Sequence, residues 1–256
     1  METSGERPLA LPNAGTALSV DSARIERYLI LKRQHPETAT GNGRMRGAGA
    51  GLAGALILLF ARFITAVRGR WDGVAPIDEQ RIYFANHASH GDFVLVWTVL
   101  PRRMRLAARP VAGSDYWLKG RLRRFIGRDV FNAVLIDRDS ASRTTDPVAQ
   151  MTDALDAGAS LIVFPEGTRN TTEAALLPFK SGLFHLAQAR PDIALVPVWI
   201  DNLNRVMPKG EFVPVPLICT VTFGAALYLS GTETKQDFLA RAEAALFALS
   251  PKTSAP

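Results

Sequence analysis

The residues with the greatest chemical capacity lie in three short clusters. The first is Asn86-His87-Ala88-Ser89-His90-Gly91-Asp92. An imidazole at 87 and a carboxylate at 92 are spaced so that the carboxylate folds back across a turn onto one ring nitrogen. That bond fixes the tautomer and leaves the other nitrogen as a base. It is the lower half of a nucleophilic triad without a nucleophile of its own, which points to a substrate hydroxyl activated by His87. The spacing alone carries little weight, because a lone histidine at a turn more often caps or packs.

The second and third clusters carry anion chemistry. Asp137-Arg138 follows the apolar run Ala133–Ile136, and Arg138 has the planar fork that holds a phosphate by two parallel hydrogen bonds. Pro165-Glu166-Gly167-Thr168-Arg169-Asn170 follows Leu161–Phe164. Gly167 lets the backbone approach an anion, the amides of Gly167 and Thr168 can point at it, and Arg169 adds charge. Glu166 has two readings: it holds Arg169 in an ion pair, or it accepts a hydrogen bond from a substrate hydroxyl. A different chemistry is open to the first cluster, since His87, His90 and Asp92 spell H-x-x-H-x-D, a ligand set for a metal-dependent hydrolase. No fourth ligand cluster follows; His185 is isolated and Cys219 falls in an apolar run.

For the three clusters to meet, the apolar runs before them must be neighbouring strands whose carboxyl ends share one edge. The pattern supports this. Short runs at Ile82–Ala85, Leu106–Ala108, Ala133–Ile136, Leu161–Phe164, Ala194–Ile200 and Ile218–Phe223 read as strands. They alternate with helical periodicity at Phe93–Leu100, Tyr116–Ile126, Pro147–Ala157, Phe179–Ala189 and Lys235–Leu249. The expectation is an α/β fold over 71–250, a mostly parallel central sheet with helices on both faces.

The N-terminal part differs. Residues 1–43 read as a mobile tail with a short amphipathic helix at 22–34, ended by Pro36, and carry no secretory signal. Residues 44–70 contain the most apolar stretch, Gly47–Ala61, fifteen residues without a charge. Arg44 and Arg46 precede it, and Arg62, Arg68 and Arg70 follow or interrupt it. This predicts a membrane-associated helix that dips into or lies along one leaflet, its arginines gripping anionic headgroups. The alternative is an Ala/Gly-rich helix buried on the core.

Composition narrows the classes. With 47% apolar and 21% charged residues the 256-residue chain is neither disordered nor a rod. A mean hydropathy of +0.06 excludes a polytopic bundle. One cysteine, Cys219, excludes an intrachain disulfide framework. Net charge is +6, yet residues 101–128 hold nine basic side chains against one acid. Such a segment wants an anionic partner: lipid, an acidic carrier protein or nucleic acid. Nucleic acid is disfavoured, as no recognition-helix, RRM or zinc-finger signature accompanies it.

Taken together, NHASHGD, VLIDR, FPEGTRN, LPFKSG and VPVWI, in that order and spacing, resemble the glycerolipid acyltransferase family, most of all its 1-acylglycerol-3-phosphate (lysophosphatidic acid) acyltransferases. The resemblance covers about residues 81 to 200. It implies that His87 is the general base on a lysolipid hydroxyl, oriented by Asp92. It implies that Arg138, Glu166, Gly167, Thr168 and Arg169 bind the glycerol phosphate end of the acceptor, and that Pro197 shapes the pocket. Arg109 is a further candidate phosphate contact. The donor would be a fatty acyl thioester, acyl-CoA or acyl carrier protein, with no metal or redox cofactor. The protein would sit on the cytoplasmic face of an anionic membrane. A lyso-amino-acid lipid is an alternative acceptor.

Overall fold

Four successive side chains, Ile82 to Ala85, are fully buried. Alternate residues of a strand face opposite ways, so this run needs cover on both sides. The computed structural model describes residues 47–137, 145–201 and 219–251, the side chain of Ile64 apart. In chain order these form α1 (Ala48–Thr65), β1 (Arg68–Trp71), β2 (Arg81–Ala85), α2 (Asp92–Val99), α3 (Arg102–Ala107) and β3 (Ala108–Gly113). Next come α4 (Ser114–Trp117), α5 (Arg121–Arg124) running into a π-helical turn (Phe125–Val130), β4 (Val134–Ile136), α6 (Pro147–Asp156) and β5 (Ser160–Val163). The last are α7 (Gly182–Ala189), β6 (Ala194–Asp201), β7 (Thr220–Phe223) and α8 (Lys235–Phe247).

The strands form one sheet in the order β1-β7-β6-β2-β5-β3-β4, parallel at every junction except β6–β7. Tyr83 and Ala85 look into one core with Leu95, Val96 and Trp97 of α2, Phe131 and Phe223. Ile82 and Phe84 look into the other, with Met151 and Leu155 of α6, Leu183 and Leu186 of α7, and Phe238 and Leu246 of α8. The α/β expectation, a mostly parallel sheet covered on both faces, holds.

Three local expectations fail, each for a physical reason. Leu106 and Ala107 end α3 instead of opening a strand: Arg-Arg-Met-Arg-Leu-Ala are all good helix formers, and β3 starts only at Ala108. β3 tolerates Pro110 because its pairing with β4 begins one residue later, at Val111. The single helix expected over Tyr116–Ile126 is broken at Gly120, whose φ of +89° no helical residue adopts. Strand β1 was not expected at all; its four residues, Arg-Gly-Arg-Trp, are mostly exposed and carry no strand alternation.

Helix α1 replaces the expected membrane segment with something more specific. At about 1.5 Å per residue its 18 residues extend roughly 27 Å. Among the described residues no helix is long and apolar enough to cross a membrane. The inner face of α1 packs on the core through Ala50, Gly54, Ile57, Leu58 and Ala61: Ala50 and Ala61 are buried and Gly54 lies against Val130 and Trp97. On the other side, Leu52, Leu56, Leu59, Phe60 and Phe63 face solvent. The fold therefore shows a helix docked on the core, with its apolar outer face uncovered; it does not show a membrane contact. The tail with its 22–34 helix, and Arg138, lie outside the described residues.

Candidate active site

Because β2, β5, β3 and β4 are adjacent and parallel, their carboxyl ends open on one side. There they line a cleft of about 680 Å³. His87 enters from the end of β2, Gly113 from β3, Ile136 and Asp137 from β4, and Phe164, Pro165 and Gly167 to Arg169 from β5. The starts of α6 and α7 complete it with Val148, Met151, Lys180 and Leu183. The lining thus mixes basic, acidic and apolar side chains.

His87 is held from several directions. Its Nδ1 lies 2.8 Å from Oδ2 of Asp92, the first residue of α2, whose carboxylate is 2% exposed. The same Oδ2 accepts the amides of Ala88 and Ser89 at 2.7 and 2.8 Å. Three contacts fix that oxygen in place, and with a carboxylate oxygen as the acceptor Nδ1 carries the proton and Nε2 is left as the acceptor. Phe164 stacks on the imidazole with ring centres 4.2 Å apart. The His87 carbonyl accepts the amide of Asn170, and its amide donates to Oε1 of Glu166 at 2.8 Å.

Glu166 departs from its expected place. It is 2% exposed and absent from the cleft lining, and it makes no ion pair with Arg169 among the described residues. Oε1 takes the His87 amide and Oε2 takes the Leu177 amide at 2.9 Å. Burial pushes its carboxyl above the usual range, and those two amides, Leu177 before His87, pull back. Its work is to join the loops after β2 and β5. Gly167 is also only partly as expected, since its amide donates to the Phe164 carbonyl at 3.0 Å and is not free for an anion. Its φ of +68° explains the residue type. Thr168 and Arg169 do line the cleft, as His87 does.

Other candidates fall elsewhere. The Arg109 guanidinium points at its own framework: Nε donates to the Asn132 carbonyl at 2.6 Å, supporting a residue with φ of +51°. Pro197 sits in β6 opposite Phe84, outside the cleft lining. His90 stacks on Tyr116 at 5.1 Å, and loss of solvation, then the Arg169 charge, lowers its pKa. With His90 turned to Tyr116 and the Asp92 oxygen committed to His87, the H-x-x-H-x-D set does not converge. Among the described residues no three metal-ligating side chains do.

Sequence reasoning missed two residues. The Asn86 amide pairs with both backbone groups of Ile200, donating at 3.0 Å and accepting at 2.8 Å, so it extends the β2–β6 ladder by one step. Lys180 lines the cleft over Gly167, and in the sequence its segment, LPFKSG, stands out only by its pattern.

Comparison with known proteins follows the same lines. A family model described as Acyltransferase matches residues 70–201, just over half of the chain. The mouse protein 1-acyl-sn-glycerol-3-phosphate acyltransferase alpha is 30% identical over 168 residues, covering 61% of this chain and 53% of that protein. The 1-acyl-sn-glycerol-3-phosphate acyltransferase of Escherichia coli K12 is 33% identical over 138 residues, 49% of this chain and 51% of that protein. The chain thus spans about half the length of the curated relatives it matches. The crystal structure of a 1-acyl-sn-glycerophosphate (LPA) acyltransferase from Thermotoga maritima superposes with a TM-score of 0.58 at 19% identity, over 88% of this chain and 95% of that one. At that identity the likeness concerns the fold.

Proposed function

Because this chain belongs to the acyltransferase family, we propose that it moves a fatty acyl group from a thioester to the free hydroxyl of a lysophospholipid, with 1-acylglycerol 3-phosphate giving phosphatidic acid. The observation that carries the reading is the His87–Asp92 pair, 2.8 Å apart, on one wall of a cleft that also holds Arg169. Nε2 of His87 takes the proton of the acceptor hydroxyl as its oxygen bonds to the thioester carbonyl carbon. Asp92 stabilises the imidazolium. When the tetrahedral intermediate collapses, the C–S bond breaks and His87 returns the proton to the departing thiolate. Arg169 takes the acceptor's phosphate, Arg138 is expected to join it, and the apolar wall of Val111, Ile136, Met151 and Leu183 suits an acyl chain.

The membrane face belongs to the same proposal. The outer side of α1 presents five exposed large apolar residues, and Leu106 and Leu122 add two more beside the arginine-rich segment. Loss of solvation, then the charges of Arg62 and Arg102, lower the Arg105 pKa, so three guanidiniums crowd at this surface. Anionic headgroups relieve such crowding while the apolar side chains enter the acyl boundary. This supports docking on an anionic membrane surface, with lipid rather than nucleic acid as the partner of the arginines.

The test is a thiol-release assay on the purified chain in lipid micelles, offering acyl-CoA and acyl carrier protein separately with 1-acylglycerol 3-phosphate. Acceptor-dependent release is expected with one of them, falling about 10²–10⁴-fold in His87→Ala. A His87→Ala variant that keeps the wild-type rate overturns the reading.

A further inference from the structure

We infer that Arg123, seated over the ring of Tyr116, takes the phosphate of the phosphopantetheine arm that carries the donor's thioester. Tyr116 and His90 both line the cleft, as His87 does. Their rings stack at 5.1 Å with an 18° tilt, and the Arg123 guanidinium carbon lies 4.5 Å from the centre of the Tyr116 ring. One phenol ring therefore joins His90, three residues from His87, to a cation on the short helix α5. The ring is itself held in place. Trp117 meets it edge-on at 5.4 Å, Phe93 meets Trp117 at 5.8 Å, and a Cβ at Gly127 would fall 3.0 Å from the Trp117 ring.

Reaction at His87 brings two substrates together, and the donor's thioester carbonyl must meet the acceptor oxygen beside Nε2. The rest of the donor then has to leave the cleft. Acyl-CoA and acyl carrier protein carry the sulfur on the same arm, two amides and a pantoyl unit ending in a phosphate. From sulfur to phosphorus that is about thirteen bonds, roughly four extended residues or about 15 Å, enough to pass two stacked rings. The groups along the stack follow the arm in order. Loss of solvation, then the Arg169 charge, and last the Arg123 charge lower the His90 pKa. At neutral pH His90 is therefore uncharged, and with the Tyr116 phenol it offers polar edges to amides. Arg123 comes next. A cation–π contact holds a guanidinium without using its N–H donors, and among the described residues those donors form no hydrogen bond or ion pair. The planar fork is left for a phosphate. Arg124 beside it instead donates to the Leu118 carbonyl at 3.4 Å. Asp115 lines the same cleft and is itself engaged; counting it, residues 115–124 still hold four basic side chains against one acid.

This inference rests on the lysolipid acyltransferase reading above, and the test separates the two. With 1-acylglycerol 3-phosphate as acceptor, KM and kcat are measured for dodecanoyl pantetheine and dodecanoyl phosphopantetheine, which differ only in the phosphate. Dodecanoyl-CoA and dodecanoyl acyl carrier protein are run beside them and tell the two sources of the arm apart. Wild type should show a KM about tenfold lower for the phosphorylated arm than for pantetheine. Arg123→Gln should bring that ratio close to one, through KM of the phosphorylated arm, and raise KM by a similar factor for whichever of CoA and carrier protein serves the wild type. Tyr116→Leu should give the same pattern, while Tyr116→Phe keeps the advantage. All donors are measured on each preparation in the same micelles, so their ratios are independent of folded fraction and of lipid binding. Equal losses on both arms in Arg123→Gln, a wild type indifferent to the phosphate, or a Tyr116→Leu variant with the full advantage overturns the inference while leaving acyl transfer intact. A wild type that acylates the lipid from none of the four donors removes the functional reading and this inference with it.

Discussion

Asp92 does two things with one oxygen: it orients an imidazole and it closes the turn through the amides of Ala88 and Ser89. The two can be separated. Asp92→Asn keeps an oxygen for the amides but no charge for the imidazolium, so kcat should fall about 10²–10⁴-fold with the melting temperature little changed. Steady-state kinetics beside calorimetry reads both, and an active Asp92→Asn variant would remove the dyad. Glu166→Gln reverses the balance. Its amide nitrogen cannot accept, so one of the His87 and Leu177 amides is left unpaired, costing about 1–3 kcal/mol of stability on denaturant unfolding. His87, Asp92 and Arg169 could be singled out because each stands in a polar cluster after an apolar run and the joint order of those clusters resembles the family. The roles of Glu166 and Asn86 could not be read this way, because their partners are backbone groups of Leu177 and Ile200 that only the folded chain brings near.

At the scale of elements, legibility followed burial. Helices α6, α7 and α8 declared themselves through apolar residues that meet the sheet at helical spacing. Strand β1 could not, since its identity comes from pairing with β7 rather than from its own pattern. Helix α1 was ambiguous because it is apolar on both sides, with Ala50, Ile57, Leu58 and Ala61 against the core and Leu52, Leu56, Leu59, Phe60 and Phe63 outward. Sequence counts the apolar residues; only packing tells which are already spent on the core. The outer ones then have a measurable consequence. Phe60→Ser with Phe63→Ser, both exposed in the folded protein, should leave thermal stability intact and weaken binding to anionic vesicles by about tenfold or more. Reversing Arg121, Arg123 and Arg124 to Glu should weaken it too and flatten its salt dependence, because exposed charges are screened over about 8–10 Å. Vesicle sedimentation at several ionic strengths distinguishes the two contributions, and unaltered binding in both variants would remove the lipid-docking proposal.

For the molecule as a whole the question is whether α1 stays on the core when the outer face meets lipid. Cys219 reports on it, because it joins the end of that helix to the sheet: its amide donates to the Thr65 carbonyl and its own carbonyl accepts the Arg68 amide. The thiol is fully buried, and burial, reinforced by the charges of Asp201 and Asp92, pushes its pKa up to about 11. A raised pKa means the folded state holds the proton more tightly than the unfolded chain. Its share of stability is present below the ordinary thiol value and is lost as pH rises through the folded one. At pH 8 the thiolate fraction is about 100-fold below that of an exposed cysteine, and access is closed as well. The native protein should therefore resist a thiol reagent, and one thiol per chain should react in denaturant. If lipid meets only the outer face, anionic vesicles should leave the slow rate unchanged, since Ala50, Ala61 and Thr65 are buried on the inner face of α1. If vesicles speed alkylation severalfold, the helix lifts from the sheet to enter the bilayer, and the docked arrangement is only the form taken in water.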